Sequence, residues 1–377
     1  MSDIPEATYW LPAAFAVRLG SIALGLALAA RPALSRRVAL AGSCLASVLT
    51  GMLAVHLLDT GQTLRGELLE HAVSGFTLGF AVDRLSAWFL LVLALLAAPT
   101  AVYSVAYLGR GTLGRRSPFV SMAFCVLVGA VEMVFVADGV IAFLFAWELM
   151  TLTNAALVAT EHERSETRRA AFLYLAMSHV ATGCLIAGFF LLARGATSLG
   201  FEHVLGGNAL AVGPVRNVAF LLFLGGFGVK AGMIPLHVWL PDAHPAAPSS
   251  ISALMSGILI KTGIYGLFRV CVVGLGEPPL FWGVLILVCG GASAILGVLY
   301  ALMQHDLKRL LAYHSIENIG IILLGLGSGM MAISAGRAEL AAVGIAASLF
   351  HVLNHALFKG LLFLSAGGVV MATGTRQ

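Results

Sequence analysis

Charge is what this sequence has least of. Only 11% of its residues are Asp, Glu, Lys or Arg, against about 25% in an ordinary soluble domain. Hydrophobic residues make up 59%, and the mean hydropathy is +0.96. These values exclude a soluble globule. Cysteine is scarce as well. Cys44, Cys125, Cys184, Cys271 and Cys289 all lie inside apolar runs, and no CxxC pair occurs. They read as buried, inert thiols, not as a metal or iron–sulfur site. Nicotinamide and flavin motifs are missing too, so no cofactor and no metal is expected in this chain. The 22 basic residues barely outnumber the 18 acidic ones. Most of them sit in short connections without a patch or tail, which excludes nucleic acid as a partner.

What the sequence has is a series of charge-free runs of Leu, Ala, Gly and Val. Each is long enough to cross about 30 Å of hydrocarbon as a helix. They show no period-2 alternation, which excludes a β-barrel. The expected fold is therefore an all-α integral membrane protein. Eleven spans are expected, at 9–30, 38–58, 82–108, 118–137, 139–160, 170–193, 217–240, 249–273, 280–303, 308–330 and 339–371. The first is no cleaved signal, because its basic residues follow it instead of preceding it.

The connections set an orientation. Those after odd-numbered spans hold Arg31, Arg36, Arg37, Arg110, Arg115, Arg116, Arg164, Arg168, Arg169, Lys308, Arg309 and Arg376. Those after even-numbered spans hold Arg65, Arg194, Arg216 and Arg337. The asymmetry puts the amino terminus outside and the carboxyl terminus in the cytoplasm. The longest polar connections are about 59–81 and 194–216, and residues 373–377 follow the last helix directly. An incomplete polypeptide is expected.

The informative residues are those that lipid disfavours. A charge at a helix centre costs about 2.5–3.5 kcal/mol on insertion scales. Glu148, Lys230 and Lys261 nevertheless lie deep in three separate spans. Burial disfavours an ammonium and a nearby carboxylate restores it, so a lysine whose partner moves can release a proton. Static pairing between helices and snorkelling to an interface are the competing readings. The seventh span is broken: Lys230 is followed by Gly232, Pro235, His237 and Pro241. Proline removes a backbone donor, and discontinuous helices place ion sites in many transporters. A re-entrant turn with a packing role is the alternative.

His314 and Glu317 are three apart and share a face of the tenth span. His351, His355 and Lys359 stand at i, i+4 and i+8 on the eleventh, forming one polar stripe. An unperturbed imidazole titrates near pH 6.5, so the stripe suits a proton wire. Metal binding is disfavoured, because no carboxylate accompanies the two histidines on that helix. Glu132 in the fourth span reads equally as a relay group or as part of a polar pocket.

Three strings carry a family resemblance. They are Trp147-Glu148-Leu149-Met150, Ile234-Pro235-Leu236-His237-Val238-Trp239-Leu240-Pro241-Asp242-Ala243-His244 after Lys230, and Lys261-Thr262-Gly263-Ile264-Tyr265-Gly266. Over roughly residues 80–375 the chain resembles the antiporter-like membrane subunits of respiratory complex I (the L/M/N type of NADH-quinone oxidoreductase) and of Mrp antiporters. The stretch from Asp306 to Gly320, with Asn354 to Leu364, resembles the group 4 hydrogenase branch. That branch includes the B component of hydrogenase-4 and the large membrane component of formate hydrogenlyase.

The resemblance implies that Glu148 modulates the lysine, Lys230 holds the proton, and Lys261 leads towards a central axis lined by His351, His355 and Lys359. It implies three leading helices (1–117), a complete five-helix repeat (118–273) and part of an inverted second repeat (274–377). The second broken helix and everything after it lie beyond this sequence. The chain thus reads as a truncated or split product, or as one completed by a separate chain.

The expected function is proton translocation in a redox-driven complex in the bacterial inner membrane. The implied partners are other hydrogenase or NADH-dehydrogenase-like membrane subunits, the lipid bilayer, and H+ or Na+. The alternatives are an Mrp-type Na+/H+ antiporter component and a non-conducting assembly scaffold.

Overall fold

A chain this poor in backbone-solvating polar groups has to satisfy its peptide groups internally, and helices do so within one segment. A computed structural model describes residues 9–71, 76–110, 113–194, 196–206 and 213–377. The chain divides into two compact units, residues 1–160 and 161–377.

In the first unit, α1 (Trp10–Ala27) and α2 (Pro32–Thr60) are followed by strands β1 (Leu64–His71) and β2 (Phe76–Val82), then α3 (Arg84–Tyr107), α4 (Leu113–Val136) and α5 (Val140–Val158). Local chemistry sets the boundaries. Pro32 opens α2, where its missing N–H costs nothing. The Asp83 carboxylate caps α3 by accepting from the Ser86 N–H at 2.9 Å.

The connection expected to be merely polar at 59–81 holds an antiparallel hairpin, with Leu64 opposite Val82 and Glu67 opposite Gly79. Its strands run eight and seven residues and pair with each other; the alternation Phe76, Leu78, Phe80, Val82 was the available signal.

Arg18, in the middle of α1, is 2% exposed. It donates to Glu132 Oε2 on α4 at 3.1 Å and to Ser43 Oγ on α2 at 2.9 Å. Thr50 Oγ1 on α2 also donates to Glu132. Glu132 therefore occupies a polar pocket built from three helices.

The second unit holds α6 (Ser165–Leu192), the short α7 (Phe201–Leu205), α8 (Pro214–Ala231) and α9 (Leu240–Ala246). Next come α10 (Ser249–Leu254) and α11 (Ile260–Gly266), joined and followed by π-helical turns at Met255–Leu259 and Leu267–Gly274 into one span. Then α12 (Leu280–Leu302), α13 (Leu307–Ser334) and α14 (Ala338–Thr373) complete the chain.

Among the described residues ten helices are long and apolar enough to cross a membrane. The remaining expected span is α8, which stops at the break. The chain is a multi-pass helical membrane protein.

Lipid gives apolar side chains no preference for other helices, so close packing and buried polar contacts hold the bundle. α12 and α13 pack through glycines. A Cβ on Gly320 would meet the Ala294 nitrogen and lie 2.6 Å from the Gly290 carbonyl.

Candidate functional site: buried lysines and histidines

The break in the seventh span begins with Gly232, whose φ of +74° ends α8. A Cβ there would strike the Leu240 side chain, and L residues avoid that backbone region. Pro241 lies in the first turn of α9, where its lack of an N–H is tolerated. Pro235 lies between the two helices, on the exposed side. The last turn of α8 delivers Lys230 into the interior, 1% exposed. Its ammonium donates to Tyr174 Oη on α6 at 3.1 Å.

Lys261 is fully buried in α11 and donates to the Ser256 carbonyl at 2.5 Å. The π-helical turn between the two residues brings ammonium and carbonyl together. Ser256 Oγ in turn bonds Ser315 Oγ of α13 at 2.8 Å. Lys359 on α14, 1% exposed, donates to the Leu311 carbonyl of α13 at 3.1 Å. Lys261 and Lys359 thus donate hydrogen bonds to backbone carbonyls.

The imidazoles surround this file. His351 and His355 stand parallel on α14, with ring centroids 6.4 Å apart at 8°. His355 is buried, and neither ring nitrogen has a hydrogen-bond partner among the described residues. It is close enough to Lys261, Lys359 and His244 to interact with them electrostatically. His351 Nε2 meets Asn318 Oδ1 at 2.9 Å, and Asn318 Nδ2 donates to the His314 carbonyl at 2.7 Å. His314 Nδ1 lies 2.5 Å from Glu317 Oε2. His237 is half-buried in the break.

The structure thus brings Lys230, Lys261, His237, His314, Glu317, His351, His355 and Lys359 into one unit. Glu148 lies on α5 of the other unit and is half-buried.

Three residues of this region were not singled out from the sequence. Lys308, counted as a loop charge, is only 4% exposed, and its ammonium donates to the Ala247 carbonyl at 2.6 Å. Its neighbour Arg309 made it look like part of a solvated pair. His244 is fully buried against Phe363, with ring centroids 5.0 Å apart. Its place in the Pro-Asp-Ala-His string was the available signal. Tyr174 carries no charge and gave none. In the first unit, Arg18 was not singled out either, although a charge inside the apolar span 9–30 was the available signal.

A broken membrane helix ending on a buried lysine, followed by buried lysines and histidines on neighbouring helices, defines a class of multi-pass membrane proteins with ionisable interiors. Residues 137–377 match the family model for NADH:quinone oxidoreductase/Mrp antiporter transmembrane proteins, and the chain belongs to that family.

It is 40% identical over 299 residues to hydrogenase-4 component B of Escherichia coli (strain K12), covering 78% of this chain and 44% of that protein. It is 30% identical over 374 residues to NADH-quinone oxidoreductase subunit N of Desulforudis audaxviator, covering 94% of this chain and 70% of that protein. Among solved structures, a chain of the Mrp complex from Dietzia sp. DQ12-45-1b superposes with a TM-score of 0.79 at 26% identity, covering 97% of this chain and 38% of that one. A chain of the archaeal membrane-bound sulfane sulfur reductase, a respiratory membrane complex, superposes with a TM-score of 0.76 at 27% identity, covering 99% of this chain and 57% of that one. This chain spans about half the length of the curated relatives it matches first.

Proposed function

We propose that this chain passes protons through its interior as a membrane subunit of a redox-driven complex of the group 4 hydrogenase or NADH:quinone oxidoreductase type. The observation that carries the reading is the cluster of Lys261, Lys359, His355 and His351 inside membrane-spanning helices, with Lys230 buried in the last turn of α8. Ammonium groups held by carbonyls at such depth are expensive to retain. Imidazole nitrogens buried without a protein partner call for water. Alternating lysine, histidine and water is a route along which a proton can step.

In this reading Lys230 holds the proton, Glu148 modulates it, and Lys261 hands it towards His355, His351 and Lys359. His237, His314 and Glu317 serve as flanking relay groups, and Gly232, Pro235 and Pro241 make the break. Residues 118–273 act as the first repeat and 274–377 as part of the second, behind the leading helices of 1–117. The redox centres belong to partner subunits, and this chain holds no cofactor or metal. It lies in a bacterial inner membrane with its amino terminus outside and its carboxyl terminus in the cytoplasm.

The test is coupled proton transport in vesicles carrying the assembled complex. Lys230→Ala and Glu148→Gln should abolish pumping while assembly persists. Unchanged pumping in both, with assembly lost only on deletion of the chain, would establish a scaffold instead.

The similarity to a Na(+)/H(+) antiporter subunit of Alkalihalophilus pseudofirmus, 30% identical over 340 residues, favours a second reading in which sodium exchanges for protons. Transport that requires sodium would select it.

A further inference from the structure

Lys230 ends the first half of the broken helix, and Trp239 precedes the first residue of the second half. One side chain touches both. Tyr174 of α6 accepts the hydrogen bond from Lys230 Nζ at 3.1 Å, and the same ammonium lies 5.3 Å from the centre of its ring. The Tyr174 ring also meets Trp239 edge to face, with centroids 5.0 Å apart at 61°. Trp239 Nε1 donates to the Val229 carbonyl at 2.8 Å, one residue before Lys230. The contacts therefore close a ring from ammonium to phenol to indole and back to the backbone beside the ammonium. All three side chains are at most 1% exposed.

We infer that Tyr174 is a positioning residue for Lys230, tying the place of the ammonium to the geometry of the break. Tyrosine suits both halves of that task. Its oxygen accepts an N–H, and its ring packs against neighbouring side chains. The ring quadrupole fits the edge-to-face contact with the indole. Both contacts are buried, where the loss of a hydrogen bond is costlier than at a surface. If α9 shifts, Trp239 shifts with it. The tyrosine keeps its packing only by following, and its oxygen, which accepts from Lys230, then moves with it. A change at the break thus reaches the lysine through Tyr174.

The functional consequence rests on Lys230 being a proton carrier, whereas the contact itself does not. Two measurements separate them. The first is isotope-edited infrared spectroscopy of the full chain with ring-labelled tyrosine, the band of Tyr174 being assigned as the one lost in Tyr174→Phe. Lys230→Met should shift that band, and an unmoved band overturns the inference.

The second is proton transport per electron turnover in the assembled complex. Tyr174→Phe keeps the ring and loses the acceptor. It should slow transport about tenfold, the scale of one hydrogen bond to a charged group. Tyr174→Leu loses both features and should transport no better than Lys230→Met. The Phe variant is nearly isosteric and keeps the test valid if Leu fails to fold. Wild-type transport in Tyr174→Phe and Tyr174→Leu, with Lys230→Met inactive, overturns the inference. A transport-competent Lys230→Met would instead remove the proton-carrier reading, leaving the infrared result to decide the contact.

Discussion

Lys308 Nζ donates to the Ala247 carbonyl at 2.6 Å, joining the first turn of α13 to the residue that ends α9. The last carbonyls of a helix have no partner within it, and cations are favoured there. Arg376 serves the same end through the Pro245 carbonyl at 2.8 Å, and Arg309 pairs with Asp242 at 2.7 Å. The second half of the broken helix is thus held by three cations, of which Lys308 is the most deeply buried.

Lys308→Met should therefore lower stability by about 1–3 kcal/mol, the scale of a lost hydrogen bond from a charged group, since among the described residues only the longer bond from Ser252 Oγ at 3.4 Å would remain on that carbonyl. Arg309→Gln removes a pair that is 45% and 36% exposed, and such pairs are worth at most about 1 kcal/mol. Thermal unfolding of the purified chain in detergent compares the two. Equal shifts would contradict the clamp described here.

Arg18 and Glu132 form a buried pair whose members need each other. Removing one partner of such a pair costs about 3–5 kcal/mol, whereas replacing both with apolar groups is often close to neutral. Arg18→Met and Glu132→Leu should each reduce the yield of folded protein, and the double variant should recover most of it. Folded yield by size-exclusion chromatography is the measurement. A double variant as poor as the worse single variant would mean that the pocket needs more than charge balance.

Gly320 faces backbone on α12, not a yielding side chain. Gly320→Ala should push α12 and α13 apart and cost about 1–3 kcal/mol, as overpacking does. Gly336, with open space around it but a φ of +67°, should lose less on the same change, because only backbone strain opposes it. Thermal unfolding of the two variants ranks them.

Asn318 is the one described side chain that joins His351 to the backbone of His314. Asn318→Leu should slow coupled transport several-fold, since a lost hydrogen bond of about 1 kcal/mol changes a population by roughly fivefold. Asn318→Gln, which keeps the amide, should retain more activity. Rates measured in vesicles at fixed electron flux decide, and indistinguishable variants would exclude Asn318 from the path.

Much of the fold was legible because the bilayer is a strict solvent. A peptide chain inside hydrocarbon has to bond its own backbone, so counting apolar residues placed the helices and the break between Lys230 and Pro241. The hairpin at 64–82 escaped because Arg65, Glu67 and Glu70 make the first strand resemble a polar connection, although Phe76, Leu78, Phe80 and Val82 alternate in the second. Lys261, His355 and Lys359 were legible for the same reason as the spans: a charge in an apolar run is costly enough to need a purpose. Lys308 escaped that logic by sitting at a helix end beside Arg309, where exposure is the natural expectation.

By itself, the sequence determined the membrane-spanning architecture, the family, and several of the ionisable groups in oil-like surroundings, Lys230, Lys261, His355 and Lys359 among them, because each follows from local composition and motif. Only the tertiary structure decided what those groups touch. Tyr174 and Lys230 are 56 residues apart, Ala247 and Lys308 are 61 apart, and Arg18 and Glu132 are 114 apart. Such contacts arise from how helices pack side by side, and nothing local to any one of them encodes its partner.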